Sequence, residues 1–195
     1  MKVGIYASID CGNVHDLSID YIGVDQGVMH LIRQGIQPLI AIGDMDSIED
    51  LSLLETLPVQ KFPAVKDDTD TALAIKYALQ QGYDEIDVYG VTKKRMDHFL
   101  GVMCLLKKYS SYSITIYDEY NKIYVLKPGV HHILKDEYKY FSIFAVKKGK
   151  LTLKNCHYPL NDYVLDIDDP LCVSNQMDQE VIIENDEAII VVQSL

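Results

Sequence analysis

Two carboxylates stand one residue apart in Gly43-Asp44-Met45-Asp46-Ser47. Carboxylates this close repel unless a cation or a hydrogen-bond donor neutralises them. One reading is a Mg²⁺ site facing phosphates, because Mg²⁺ takes a few carboxylate and water oxygens and lets phosphates complete its octahedron. The plainer reading is a turn in which Asp44 or Ser47 caps a helix starting near Ile48. For the stretch in isolation the plainer reading is the stronger one. Other clusters reverse that judgement. Asp25-Gln26-Gly27 is one, and Lys66-Asp67-Asp68-Thr69-Asp70 is another. Capping the helix behind the latter uses one side chain of Asp67, Asp68 or Thr69 and leaves the other acids to be explained. Gly90-Val91-Thr92-Lys93-Lys94-Arg95-Met96-Asp97-His98 is the concentrated basic loop of the N-terminal half. It lies at a helix entrance, where free amide groups and the dipole favour anions. Arg95 can fork onto a phosphate while Asp97 holds the fork; the alternative is a solvated loop whose Asp97 caps the helix. His98 reads as a structural hydrogen-bonder rather than a general base. Asp44, Asp46 and Asp70 are the natural carboxylates for a metal.

Such clusters need a scaffold that gathers strand ends. The run Pro38-Leu39-Ile40-Ala41-Ile42 has the length and flanks of a buried parallel strand, and Gly43 permits an unusual turn where it ends. Further strands are expected at 2–7, 21–24, 59–62, 85–89 and 113–117. Helices are expected at 26–34, 48–57, 71–81 and 97–109. Ala72, Leu73, Ile75, Ala78 and Leu79 form the apolar set of the third. Alternation of this kind predicts an α/β domain with a mostly parallel, doubly wound sheet, whose loops meet at the carboxyl ends of the strands. The pattern changes near Asn121. Strands without intervening helices are expected at 131–134, 140–145, 150–154, 163–167, 171–173, 180–183 and 188–192, separated by turn residues such as Asn161-Asp162. They predict a small all-β sandwich. The division is placed at 1–125 for the α/β domain and 126–195 for the sandwich.

Composition narrows the function. The 195 residues are 48% hydrophobic and carry a net charge of −11 from 18 basic and 29 acidic side chains. No Lys or Arg follows Lys154. A duplex nucleic acid groove needs clustered cations, so nucleic acid is not expected as a partner. A small phosphate ligand needs only a few. No apolar run approaches the length that spans a membrane. Cys11, Cys104, Cys156 and Cys172 show no zinc spacing, and Cys104 lies in an apolar helical pattern as an expected buried thiol. Free thiols with no signal-peptide pattern predict the cytoplasm. Neither Gly-x-x-x-x-Gly-Lys-Ser/Thr nor Gly-x-Gly-x-x-Gly occurs, so nucleotide binding would use neither common glycine-rich cradle. No nucleophile elbow suggests covalent catalysis.

In this order, Asp25-Gln26-Gly27, Gly43-Asp44-Met45-Asp46-Ser47, Lys66-Asp67-Asp68-Thr69-Asp70 and Gly90 through Arg95, Asp97 and His98 resemble the motifs of the thiamine pyrophosphokinase family. Leu151-Thr152-Leu153, Tyr158-Pro159-Leu160 and Ser174-Asn175 look like that family's Leu-Thr-Leu, Tyr-Pro-Leu and Ser-Asn stretches. Each motif alone is weak; together they span nearly the whole chain. Two departures stand out: Lys93-Lys94 where the family often has Gly-Gly, and Gln26 where Gly is usual.

The resemblance implies a homodimeric enzyme that transfers the pyrophosphoryl group of ATP to the hydroxyl of thiamine, giving thiamine diphosphate and AMP. It implies Mg²⁺ and ATP at the aspartate cluster, with Asp25, Lys66, Asp67, Thr92, Arg95, Asp97 and His98 around the nucleotide. It places thiamine near the subunit interface with Ser174 and Asn175 at its pyrimidine end. Positioning and charge neutralisation would supply most of the catalysis, with Asp46 or Asp70 orienting or deprotonating the hydroxyl. Competing readings are a pyrophosphokinase for another alcohol such as a pterin carbinol, a catalytically silent nucleotide or thiamine sensor, and a Mg²⁺-dependent phosphohydrolase.

Overall fold

The structure, a computed structural model, describes residues 1–46, 48, 57–61, 68–93 and 95–195. The body of the helix expected at 48–57, the capping role of Ser47, and Lys66, Asp67 and Lys94 lie outside the described residues. The chain divides into two compact units: Met1–Leu105 with Ile116–Glu119, and Leu106–Thr115 with Tyr120–Leu195.

The first unit contains β1 (Lys2–Tyr6), β2 (Asp20–Val24), α1 (Gly27–Arg33), β3 (Ile40–Gly43), β4 (Val59–Lys61), α2 (Asp70–Gln80) and β5 (Glu85–Tyr89). It also holds most of α3 (Met96–Lys108) and the end of β6 (Ser113–Tyr117). Five strands run in the order β5-β1-β2-β3-β4, and every one of these pairs is parallel. Strands covered on both faces must be apolar almost throughout. Accordingly Val3 to Tyr6, Tyr21 to Val24, Ile40 to Gly43 and Ile86 to Tyr89 are buried without a break. One charge sits in this layer: Asp87, which is 4% exposed and paired with Lys2 at 2.8 Å. α2 is started by Thr69, whose hydroxyl accepts from Ala72 N–H at 3.2 Å. Such a cap stabilises by about 1 kcal/mol. Of the three expected cappers the uncharged one does the work, and Ala72, Ala74, Ile75 and Ala78 are buried beneath it.

Cys104 is exposed rather than buried. α3 buries Val102 and Leu106, whereas Met96 and Leu100 are exposed. Cys104 follows those two at four-residue spacing and so shares their stripe.

From Tyr120 on, the second unit is all-β: β7 (Asn121–Leu126), β8 (Gly129–Leu134), β9 (Tyr140–Ala145), β10 (Gly149–Lys154), β11 (Leu160–Leu165), β12 (Asn175–Gln176), β13 (Glu180–Asn185) and β14 (Ile189–Ser194). Antiparallel strands in the order β12-β9-β14-β7 form one layer and β11-β10-β13-β8 another. Alternate residues of both layers, among them Phe141, Ile143, Val191, Leu151, Leu153, Val181 and Ile183, meet in one core. Burial therefore alternates along β9 and β13, as a half-covered strand requires. Three expectations are corrected. β7 was not anticipated. The strand expected at 163–167 begins at Leu160, because Asp162 (φ +47) forms a bulge opposite Thr152 instead of a turn. Residues 171–173 form a turn, and the strand follows at Asn175–Gln176.

Candidate functional site

In the first unit the strand order reverses direction between β1 and β5. Open α/β sheets hold ligands beyond the carboxyl ends of the strands at such a reversal. The two loops that leave there are packed together. Ala7 N–H donates to Tyr89 O at 2.8 Å, Ile9 N–H to Gly90 O at 3.2 Å, and Gly90 N–H to Cys11 Sγ at 3.1 Å. Gly90 has φ +75, and a Cβ on it would lie 2.5 Å from Ile9 O and 2.8 Å from Ala7 O. Glycine alone fits that position. Two residues on, Thr92 Oγ1 is buried with no hydrogen-bond partner among the described residues. A buried hydroxyl left unmatched is costly, and a ligand oxygen arriving at this loop would satisfy it.

The neighbouring strand ends supply carboxylates. Asp25, just past β2, has φ +49 and donates its N–H to Ile42 O at 3.1 Å. Its carboxylate occupies the space over Gly43: a Cβ there would lie 1.8 Å from Asp25 Oδ1, at a φ of +142. The missing side chain of Gly43 thus admits Asp25 to the turn that carries Asp44 and Asp46. Ser8 Oγ, from the loop after β1, donates to Asp25 Oδ2 at 3.4 Å. Asp44 Oδ1 accepts from Asp46 N–H at 3.1 Å, and buried Met45 has φ +62. That is the turn of the plainer reading, yet it leaves the Asp46 carboxylate exposed and Asp44 half-buried. Asp70 is half-buried at the first residue of α2, a helix that packs on β1, β2 and β3.

Among the described residues no three His, Cys, Asp or Glu side chains converge closely enough to hold a metal by themselves. The donor set suits Mg²⁺ all the same. Asp25 and the turn carrying Asp44 and Asp46 meet at the Gly43 cradle, and water and phosphate oxygens would complete the shell.

Arg95 and Asp97 form a two-point fork, Nε to Oδ1 at 3.1 Å and Nη2 to Oδ2. The pair raises the Arg95 pKa and lowers that of Asp97, each through the shared hydrogen bonds. Both side chains are exposed, as is His98 in the first turn of α3. Lys93 Nζ lies 2.8 Å from Glu119 Oε2.

The second unit has a cleft of about 420 Å³ lined by Leu153, Tyr158, Leu160, Leu171, Cys172, Val173, Ser174 and Asn175. Burial pushes the Cys172 thiol up to about 11, so this wall is neutral at physiological pH. Ser174 has φ +60, donates its N–H to Ser142 Oγ at 3.0 Å and is exposed at the cleft. Asn175 is buried and holds Tyr158 at both ends: its Oδ1 accepts from Tyr158 N–H at 3.0 Å, and its Nδ2 donates to Tyr158 O at 2.8 Å. Ser174 and Asn175 therefore come together at one cleft but turn their side chains to different tasks. Sequence reasoning passed over Ser8 and quoted Tyr158 only as part of a motif, with no role at the cleft. The available signals were a hydroxyl just beyond the first strand and an exposed aromatic before a proline, which keeps that residue extended.

Residues 14–117 match the family model described as thiamin pyrophosphokinase, catalytic domain, and residues 130–190 match thiamin pyrophosphokinase, vitamin B1 binding domain. A thiamine pyrophosphokinase of Bacillus subtilis (strain 168) is 39% identical over 166 residues, covering 80% of this chain and 78% of that protein. A crystal structure of thiamine pyrophosphokinase from Bacillus subtilis superposes with a TM-score of 0.89 at 31% identity, covering 100% of this chain and 99% of the other. One from Geobacillus thermodenitrificans gives 0.87 at 28% identity, covering 100% and 98%.

Proposed function

This chain belongs to the thiamin pyrophosphokinase family, and we propose that it transfers the pyrophosphoryl group of ATP to the hydroxyl of thiamine, releasing AMP. The observation that carries the reading is the cleft beside Ser174, which lies within the segment matched by the vitamin B1 binding model.

Residues 1–125 serve as the ATP- and Mg²⁺-binding domain, and residues 126–195 bind thiamine and support a homodimer. The reversal of strand order between β1 and β5 supports the doubly wound arrangement, since right-handed crossovers then place helices on both faces. Asp44, Asp46 and Asp70 would hold Mg²⁺ directly or through water, with Asp25 at the Gly43 turn. Bound there, the ion would neutralise phosphate charge. Arg95 and Lys66 add positive charge. Asp97 keeps the Arg95 guanidinium aimed, Thr92 offers its hydroxyl to a phosphate oxygen, and His98 and Asp67 are assigned to nucleotide binding. The thiamine hydroxyl attacks the β-phosphorus as the bond to AMP breaks, and its proton passes to a carboxylate oxygen of Asp46 or Asp70. Ser174 and Asn175 serve the pyrimidine end. Among the described residues no helix is long and apolar enough to cross a membrane; the free thiols support the cytoplasm as the compartment.

Incubation with ATP, Mg²⁺ and thiamine tests the proposal by mass detection. Equal amounts of thiamine diphosphate and AMP are expected. ATP consumption independent of thiamine would replace the reading with a phosphohydrolase.

A further inference from the structure

We propose that residues 8–16, in the connection from β1 to β2, form a positioning strap for the phosphate-facing loop after β5, and that Cys11 is the residue through which the strap holds Gly90; this rests on the pyrophosphokinase reading above. Parallel neighbours such as β1 and β2 are ordinarily joined by a crossover helix, but residues 7–19 contain none. The segment instead lies across the sheet face, where its backbone groups need partners. Tyrosine hydroxyls from three adjacent strands supply them. Tyr6 OH on β1 accepts from Cys11 N–H at 3.2 Å and donates to Gly12 O at 2.8 Å. Tyr89 OH on β5 accepts from His15 N–H at 3.3 Å. Tyr21 OH on β2 donates to Asp16 O at 2.6 Å. All three tyrosines are buried, and burial pushes each phenol above the ordinary tyrosine range, so each keeps its proton. The His15 ring packs on the same side, 4.6 Å from that of Tyr117.

A segment pinned in this way can hold another in place. Both backbone groups of Gly90 are bound to it: Gly90 N–H donates to Cys11 Sγ at 3.1 Å, and Gly90 O accepts from Ile9 N–H at 3.2 Å. Gly90 is the first residue after β5 and opens the loop that carries Thr92 and Arg95. The Gly90 amide and the Cys11 side chain are both buried, so water does not compete for this bond. Burial also raises the pKa of the Cys11 thiol, which makes it a neutral acceptor and not a reactive thiolate. Nearer β1 the strap meets the carboxylates, since Ser8 Oγ donates to Asp25 Oδ2 at 3.4 Å. One helix-free segment thus touches both the basic loop and the acidic turn, and it sets the spacing between them. Cys11 is a positioning residue in this arrangement, acting on phosphate only through Gly90.

Hydrogen exchange at the Gly90 amide reads the tie directly, and steady-state kinetics on the full-length enzyme, following AMP release, read its consequence. Cys11→Ala leaves the Gly90 N–H buried without its acceptor. Exchange at Gly90 is expected to quicken about tenfold or more, and kcat/KM for ATP to fall about tenfold, with the ATP KM raised and the thiamine KM within about twofold. Cys11→Ser restores an acceptor and recovers most of both losses. Tyr6→Phe frees Cys11 N–H and Gly12 O and gives the same pattern. Added to Cys11→Ala it lowers kcat/KM by less than about twofold further, because both act through one strap. Full multiplication of the two overturns the proposal. A purely structural role lowers Tm and the folded fraction but moves neither KM, so a lowered Tm in Cys11→Ala with both KM values unmoved overturns it as well. If Cys11→Ala does not fold, Tyr6→Phe decides, and wild-type exchange at Gly90 with a wild-type ATP KM in that variant overturns it. A wild-type protein that forms no thiamine diphosphate removes the functional reading itself, while exchange at Gly90 still judges the strap.

Discussion

The strand-end turns of the first unit and the cleft of the second hold their polar side chains by different means. Asp44 is tied to the backbone of Asp46, two residues away, and Arg95 to Asp97 at the same separation. These are local turns that leave charge facing outward. Asn175 is tied to Tyr158, seventeen residues away, and is buried. A charged, phosphate-bearing ligand brings its own counter-ions and can complete a loosely braced set of carboxylates and cations. In the second unit the polar side chain instead fixes the backbone that lines the cleft. The first arrangement should govern turnover, through charge in the transition state. The second should govern substrate affinity, through shape.

Gly43→Ala is the strongest way to break the contrast. The new Cβ would meet Asp25 Oδ1 at 1.8 Å and would have to adopt φ +142. Displacing Asp25 and the Asp44–Asp46 turn by about an ångström is expected to lower kcat/KM about a hundredfold. A thiamine KM close to that of the wild type should accompany the loss. Near-normal activity in a folded variant would detach this cradle from the site. Asp46→Asn keeps the shape and removes one charge. Turnover on thiamine should fall by at least about tenfold, a barrier change near 1.4 kcal/mol. If the thiamine KM moves instead of kcat, the division between charge and shape is wrong.

A third variant separates charges that do chemistry from one that does not. Asp87 lies within β5, away from the strand ends, and its pKa is raised by burial, which Lys2 opposes. A carboxyl raised above its unfolded value contributes stability at low pH that is lost as pH rises through the folded value. Lys2→Met removes the opposing cation and raises that value further. Unfolding in urea at pH 7 should show about 1–2 kcal/mol of destabilisation, discounted because Lys2 is partly exposed. The deficit should shrink as pH falls toward the ordinary carboxylate range. Turnover per folded molecule should stay within about twofold, and a larger drop would mean that buried and strand-end charges are coupled.

The first site was legible because its chemistry is written in contiguous residues. Gly43 to Ser47 and Gly90 to His98 follow apolar strands, and a buried parallel strand has no other reading at that length. The strand at 85–89 was placed to the residue for the same reason, and that at 113–117 by its alternation, with Ile114 and Ile116 buried. The second unit was harder because long-range pairing decides it. In β7 only Ile123 is fully buried, so no period-two signal marks the strand. Asn161-Asp162 has turn chemistry but sits in a bulge that the partner strand supports through Thr152. Leu171 and Val173 look like strand residues, yet both are exposed and line the cleft, while only Cys172 between them enters the core. Local rules fail there because only Cys172 is drawn inward, its carbonyl accepting from Ile143 N–H in β9, a pairing far off in sequence. The clamp of Asn175 on Tyr158 was invisible for the same reason.

Lys93, like Asp25 with its bond from Ser8, is braced over a long range within the first unit. It sits in the basic loop, where the resemblance leads one to expect glycine, but its ammonium lies 2.8 Å from Glu119 Oε2, a residue twenty-six positions away. Exposed pairs of this kind contribute about 0–1 kcal/mol. If Lys93 only braces its loop, as Asn175 braces Tyr158, Lys93→Ala should change kcat and the ATP KM by less than about twofold, with no dependence on ionic strength. If it serves phosphate instead, the ATP KM should rise about fivefold or more at low salt and converge on the wild type as salt screens the charge. Measuring the ATP KM of both proteins across a salt series separates the two. A salt-dependent rise would move Lys93 from the braced groups to the outward-facing charges, with Glu119 as its partner while phosphate is away.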